Sequence, residues 1–297
     1  MLLSAIAYLS MFLFLGISAY KAVQFAKMPF HGRMELYPVP KEKGYEYGGS
    51  YYEEVSWWKK DRQVSHITEV KEMLKEMLFI KKLFDNQRPL WWISYSFHLG
   101  IYFLMAWTIL LVVGALTLLS GGTVGAVGAG LWGGLIFYLT TLTGVIGLIL
   151  ATFGAGMLLL KRLFDDTLKK YTTPQEVFNL ALIYAVLVSG IFIWAEDLGF
   201  GITRKVMADI LTFTPFHAPG LFMLHFVLLA LMFSYIPLSK MSHYVGKYFT
   251  FHKVLWENDP NLKGSEVEKK VQGATAYRPA KTWSASHISA PATPNKD

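Results

Sequence analysis

The chain has 297 residues, of which 53% are apolar and only 16% are charged, and this balance excludes an ordinary soluble domain. Its formal net charge of +7 needs no nucleic-acid partner, because basic loops are usual in membrane proteins. The sequence contains no cysteine, which excludes disulfides, thiolate chemistry, iron–sulfur ligation and covalently attached c-type haem on this chain.

Five uncharged windows predict transmembrane helices, since about 20 apolar residues are needed to cross a bilayer. No Asp, Glu, Lys or Arg occurs from Pro89 to Leu160, which is long enough for two spans joined by the glycine-rich turn SGGTVGAVGAGLWGG. The first apolar run lacks a basic leader and is followed by Lys21 and Lys27, so we interpret it as a retained helix and not as a signal peptide. The predicted spans are roughly 2–25, 90–118, 131–160, 176–197 and 213–239.

Lys and Arg residues cluster in three segments outside these spans. All of the 28 except Arg204 and Lys205 lie in 21–88, in 161–173 or in the tail that starts at residue 240. Because Lys and Arg are retained on the cytoplasmic side, these three segments are predicted to be cytoplasmic. The prediction is an all-α integral membrane bundle of five transmembrane helices, with the N-terminus outside and the C-terminus in the cytoplasm.

The sequence divides into four segments by composition. In the insert after the first span, Val70, Met73, Met77 and Phe84 recur at helical spacing with Lys and Glu opposite, which indicates an amphipathic helix that lies on the membrane surface or docks a partner. The tail from Glu257 onward is polar and has little periodicity, so by itself it is predicted to be disordered. The segments are the first transmembrane helix (1–26), the cytoplasmic insert with the amphipathic helix (27–88), a four-helix membrane core (89–240) and the cytoplasmic tail (241–297).

Two of the eight histidines lie inside uncharged spans, where an imidazole without a partner is costly. At about 1.5 Å per residue, His98 and His225 are predicted at comparable depths in antiparallel spans. Two neutral imidazoles that face each other can hold a haem iron through Nε2, whereas a hydrogen bond between helices or a polar cavity would also accommodate them. The histidines in the predicted cytoplasmic segments are interpreted as solvated surface residues, namely His31, His66, His243, His252 and His287.

His217 lies eight residues before His225, near the outer surface, at a height that suits a second haem or a quinol headgroup. No second histidine occurs in the outer half of another span. The alternative function is that of a transporter or channel subunit. In it Pro219 and Gly220 break the fifth helix, and His217 and His225 line the transport path. The absence of an internal repeat and of a carboxylate buried within the apolar runs argues against it. A structural scaffold without a cofactor is a third reading.

Two motifs resemble the five-span membrane cytochromes b of the respiratory nitrate reductase gamma-subunit family. SFHLGIYF, which contains His98, is similar to the haem motif of the family's second helix. LHFVLLALMFSYIPLSKMSH, which runs from His225 through Pro237, Ser239 and Lys240, is similar to the fifth helix and its Pro-x-Ser-basic exit. The resemblance covers most of residues 90–250 and is nearest to the membrane subunits, of the Dsr and Hme type, of menaquinol-linked complexes associated with sulfite reduction.

The resemblance implies that 89–240 is a haem-binding core in which His98 and His225 are the axial iron ligands of a haem b near the cytoplasmic side. It also implies a second haem with different ligation. Thr108 stands where the family has its other second-helix ligand, and His217 is closer to His225 than the family spacing places it.

The implied role is electron transfer between the menaquinone pool and a cytoplasmic iron–sulfur subunit of a respiratory complex of dissimilatory sulfur metabolism, in a prokaryotic cytoplasmic membrane. The implied partners are a heterodisulfide-reductase-like iron–sulfur protein, a periplasmic multihaem cytochrome c and other membrane subunits. Without cysteine the chain is one subunit of a quinol-linked oxidoreductase and not a stand-alone enzyme. Candidate residues for a quinone site on the outer side are Lys205, Glu196 and His217.

Overall fold

The computed structural model describes residues 2–27, 55–56, 59, 66–216, 220–250 and 263–276. Within these ranges the regular structure is helical, and no strand occurs in them. The helices in chain order are α1 (Leu2–Ala26), α2 (His66–Phe79), α3 (Lys81–Asn86), α4 (Arg88–Leu119), α5 (Gly130–Phe164), α6 (Asp166–Tyr171), α7 (Pro174–Glu196), α8 (Gly201–Leu211), α9 (Gly220–Tyr235), α10 (His243–Thr250) and α11 (Glu266–Ala276).

Five of the described helices are long and apolar enough to cross a membrane. They are α1, α4, α5, α7 and α9, the last continued to Leu238 by a 3₁₀ turn. The predicted all-α bundle of five membrane helices is therefore confirmed, with most bounds within a few residues of those predicted. Residues 217–219, near the start of the fifth span, lie outside the described residues.

Long apolar helices form here because the five segments are rich in Leu, Ile, Val and Phe and contain few charges. Each helix can therefore present apolar side chains both to lipid and to the neighbouring helices. Large side chains such as Leu131 and Phe12 are exposed in the bundle, as lipid-facing residues are. The buried core lies between α4, α5 and α7 and extends to the start of α8.

The α4 and α5 helices run antiparallel and touch through small residues. A Cβ on Gly100 of α4 would lie 2.3 Å from the backbone nitrogen of Ala151, and one on Gly154 of α5 would lie 2.5 Å from that of Phe97. Real Cβ atoms do not approach backbone so closely, so only glycine permits this contact. The crossing fixes α4 at the level of residues 97–100 by direct backbone packing.

We call the end of the bundle where α4 begins and α5 ends the basic end, since Arg88, Lys161 and Arg162 lie there. The α9 helix, which ends at Tyr235, also leads there, and Lys240 beyond it lies 3.8 Å from Glu176 at the start of α7. The α8 helix, between α7 and α9, lies at the opposite end. Whether the basic end faces the cytoplasm, as the charge pattern predicts, stays a prediction.

The chain forms two compact units, the first made of residues 1–25 and 66–249 and the second of 26–65 and 250–297. The first unit contains all five membrane helices together with α2. In the second, the described residues include α11, whose start is capped where the Glu268 backbone N–H donates to Ser265 Oγ at 3.1 Å. The tail was predicted to be disordered by itself, whereas the structure has the α11 helix there. The weak periodicity of the segment did not indicate this helix.

Candidate functional site

His98 lies about three turns into α4, directly at the glycine crossing with α5. Phe97, whose backbone meets Gly154, also packs its ring edge-on against His98 with 5.3 Å between centroids. Because the crossing leaves no space for α4 to shift, the position of the His98 Cα is fixed by the sequence of small residues in α5. The side chain itself is half-buried.

A break in the helix after α9 brings a second histidine back towards the bundle. Pro237 is fully buried, and with no N–H to donate it ends the α-helix in a 3₁₀ turn. Ser239 is also buried, and its Oγ accepts the backbone N–H of Met241 at 3.1 Å. A second 3₁₀ turn follows and leads into α10, whose first residue is His243. The Pro-x-Ser-basic motif therefore redirects the chain.

Side chains of α1 hold α10 in place. The Tyr244 ring stacks on Phe14 with 5.8 Å between centroids, and its hydroxyl is hydrogen-bonded to Ser18. Lys21 Nζ donates to Ser242 Oγ at 3.0 Å. Residues 242 and 244, on either side of His243, make these contacts, so the position of α10 depends on α1.

The rings of His98 and His243 lie next to each other at the basic end. Their centroids are 6.4 Å apart and their planes form an angle of 64°. Sequence analysis placed His243 among the solvated histidines, and its side chain is indeed exposed in the protein alone. The 3₁₀ break, which a straight continuation of α9 does not anticipate, is what turns this ring towards His98.

In both rings the Nδ1 nitrogen is hydrogen-bonded to a backbone carbonyl. His98 Nδ1 lies 2.7 Å from the Ser94 carbonyl oxygen, and His243 Nδ1 lies 3.4 Å from that of Lys240. A carbonyl oxygen only accepts, so Nδ1 carries the proton in each ring. In the neutral form of each ring Nε2 then has the lone pair, which is the arrangement typical of metal-ligating histidines.

The spacing of the two rings fits axial ligation of one metal ion. A bond from a metal to an imidazole nitrogen is about 2 Å long, so two such bonds in line place the ring centres about 6 Å apart. The observed separation of 6.4 Å agrees with this value. Among the residues that the structure describes, no group of three or more His, Asp or Glu side chains could hold a metal ion. Two histidines are a ligand set that a haem iron can use, whereas structural zinc sites take four protein ligands.

His225, the predicted partner of His98, is held against α7 instead. Its Nδ1 lies 2.9 Å from Ser189 Oγ, and that hydroxyl donates its own proton to the Val186 carbonyl at 2.9 Å. Ser189 consequently accepts from Nδ1, and His225 Nε2 also keeps its lone pair. A Cβ on Gly190 would lie 3.2 Å from the ring, so the imidazole packs over that glycine.

His98 and His225 lie at different depths in the bundle, as the α5 residues at the level of each histidine indicate. The level of His98 is that of Gly154, whereas Gly190, beneath His225, packs on Leu148. Those two α5 residues are separated by about 9 Å along the helix axis. Side chains lean towards the N-terminus of their helix, and α4 and α9 run in opposite directions, so the rings lean apart. The structure thus brings His98 together with His243, and it places His225 nearer the opposite end.

The third predicted cofactor residue, His217, lies outside the described residues, as do His31, His252 and His287. Thr108, at the position of a family ligand, bonds its own helix through the Leu104 carbonyl at 2.9 Å.

The opposite end contains a buried arginine that sequence analysis did not single out. Arg204 of α8 is only 3% exposed, whereas the candidates Lys205 and Glu196 are both exposed. Its Nη2 donates to the Gly199 carbonyl at 3.3 Å, and its Nε packs against Gly114 of α4 without an acceptor. Burial lowers the pKa of the guanidinium from its ordinary value, and neighbouring Asp197 acts to raise it.

Two indole groups add further buried donors without acceptors. Trp107 Nε1 and Trp194 Nε1 are buried and have no hydrogen-bond partner in the described structure. The Trp107 ring packs edge-on against Phe200, at 5.1 Å, and the Phe200 carbonyl accepts the Arg204 backbone N–H at 2.9 Å. Buried donors of this kind usually bond a water or a ligand.

A comparison of the chain with protein-family models and with curated proteins finds no match.

Proposed function

We propose that the chain is the haem b membrane subunit of a quinol-linked respiratory complex. In this role it transfers electrons between the menaquinone pool and a cytoplasmic iron–sulfur subunit, in dissimilatory sulfur metabolism. The observation that carries the proposal is the neighbouring pair of imidazoles at the basic end, each with Nδ1 engaged by a backbone carbonyl and Nε2 available.

The axial ligands that we propose for this haem are His98 and His243. We propose His243 in place of the expected partner His225 because the His243 ring lies 6.4 Å from that of His98. A haem held by these residues would supply reversible one-electron transfer, the chemistry needed between a two-electron quinol and an iron–sulfur chain. His225 and His217 remain cofactor-binding candidates.

The quinone headgroup is proposed to bind at the end opposite the basic end. Quinone carbonyls accept hydrogen bonds, and Arg204, Trp107 and Trp194 supply buried donors that lack acceptors. Exposed Lys205 and Glu196 lie at the same end, where they could exchange the quinol protons with water.

The basic end is proposed to face the cytoplasm of a prokaryote, with the chain in the cytoplasmic membrane. A heterodisulfide-reductase-like iron–sulfur protein would dock there, close to the haem held by His98 and His243. A periplasmic multihaem cytochrome c and other membrane subunits are proposed on the opposite side and within the membrane.

Anaerobic titration of the purified, oxidised protein with a reduced menaquinone analogue tests the proposal. We expect the visible spectrum to develop the bands of a reduced b-type haem, and dithionite added afterwards to reveal the total haem. Arg204→Leu should slow the quinol-driven step and leave the dithionite spectrum unchanged. Bands that appear with dithionite but never with quinol would contradict the quinol link. A protein without b-type bands under either reductant would favour the transporter or channel alternative.

A further inference from the structure

The α2 helix turns Glu72 and Glu76 towards the protein and several apolar side chains away from it. Glu72 and Glu76 are only 4% and 6% exposed, whereas Val70, Leu74 and Leu78 are 43–47% exposed. This is the reverse of an amphipathic helix on a soluble protein. A buried carboxylate is costly unless it is paired, so the partners of the two glutamates show what holds α2 in place.

The two carboxylates have different partners. Glu72 bonds lysines of its own segment, Lys75 at 2.7 Å and Lys81 at 3.3 Å. Glu76 Oε1 instead pairs with Lys247 Nζ of α10 at 2.9 Å, while its Oε2 accepts the Lys82 backbone N–H at 2.9 Å. Glu76 is therefore the carboxylate that ties α2 to α10 across the fold.

Lys247 lies one helical turn after His243, so the ion pair acts on the turn of α10 that carries the histidine. The last turn of α2 also binds α4 on both sides of His98. Tyr102, one turn after His98, donates its hydroxyl to the Met77 carbonyl at 2.8 Å. Tyr95, nearly one turn before it, stacks on Phe79 with 6.1 Å between centroids. Residues 76–79 thus contact both helices of the histidine pair.

We propose that Glu76 is a positioning residue, which holds α10 through Lys247 so that His243 stays opposite His98. The inference rests on the proposed haem ligation by that pair. Removing the ion pair frees α10 on one side, while α1 still holds it on the other, so His243 should dissociate from the iron more often without loss of the fold. His98, fixed by the glycine crossing, should keep its place.

Carbon monoxide binding by the reduced, purified full-length protein measures this loosening, because carbon monoxide occupies a haem only where an axial histidine has left. We expect Glu76→Gln and Lys247→Met each to raise the carbon monoxide-reactive fraction roughly tenfold over wild type, the size expected for one lost charge-assisted hydrogen bond. The double variant should be no worse than either single variant, since both remove the same interaction. Glu72→Gln is the matched control, because Glu72 is an equally buried carboxylate of α2 that pairs with Lys75 and Lys81 of its own segment, and it should leave the fraction at the wild-type level.

A second measurement does not depend on haem. The sequence contains no cysteine, so Leu74→Cys on α2 and Tyr248→Cys on α10 give a uniquely spin-labelled pair. The distribution of distances between the labels should broaden with Glu76→Gln and stay narrow with Glu72→Gln.

The two measurements separate the two proposals. A haem-free wild-type protein in which Glu76→Gln still broadens the label distances would refute the haem ligation but not the tether. Unchanged distances and an unchanged carbon monoxide-reactive fraction in Glu76→Gln would overturn the positioning role, whatever the haem content.

Discussion

At the scale of single residues, hydrogen bonds to Nδ1 decide what the membrane histidines can do. His98 and His243 both donate Nδ1–H to carbonyls of the preceding turn, so neither ring uses its Nε2 in that hydrogen bond. His225 donates to Ser189 and is in the same tautomer. His243 and His225 differ in position: the His243 ring lies 6.4 Å from the His98 ring, whereas the His225 ring packs over Gly190 of α7.

Single glycines set that position, which makes their substitution a sharp test. Gly154→Ala would place a Cβ 2.5 Å from the Phe97 backbone nitrogen, so α4 must move at His98. We expect a loss of about 1–3 kcal/mol in unfolding free energy, measured by thermal unfolding in detergent. Gly134→Ala on the same helix is the control, because no atom lies within 4 Å of its Cβ position. There the better helix propensity of alanine should leave the stability equal or raise it by up to about 1 kcal/mol. Equal melting temperatures for both variants would contradict the close crossing.

At the scale of helices, the sequence predicted the five spans well because a window without charges has few alternatives to a membrane helix. It also placed His98 in the second span. It proposed His225 as the partner of His98, with depth counted along a straight α9, whereas the structure places the ring of His243 beside that of His98. Pro237 and Ser239 end that helix early, and the two 3₁₀ turns carry His243 back to the bundle. A residue count along one helix cannot anticipate such a turn.

The orientation of α2 was missed for a related reason. Helical spacing predicts an amphipathic helix around Val70 and Met77, and α2 runs there from His66 to Phe79, but spacing does not tell which face meets the protein. In a membrane protein the apolar face can point outwards and the charged face inwards, as Glu72 and Glu76 do. The partner Lys247 is 171 residues away in the chain, and no local pattern links it to Glu76.

At the scale of the whole molecule, the Lys and Arg distribution predicts which end faces the cytoplasm. Val127, in the glycine-rich turn at the end opposite the basic end, is 91% exposed, and Lys170 lies exposed at the basic end. In intact cells, a membrane-impermeant maleimide should label Val127→Cys and not Lys170→Cys, and permeabilisation should make both reactive. Since the chain has no native cysteine, background labelling is absent. Labelling of Lys170→Cys alone in intact cells would invert the orientation.

The central claim is that one haem lies between His98 and His243, and its most direct test is the haem-to-protein ratio of alanine variants purified under identical conditions. His98→Ala and His243→Ala should each lose the same haem, whereas His225→Ala should keep it. A His243→Ala protein with wild-type haem content, beside a His225→Ala protein that has lost the haem shared with His98, would contradict the account.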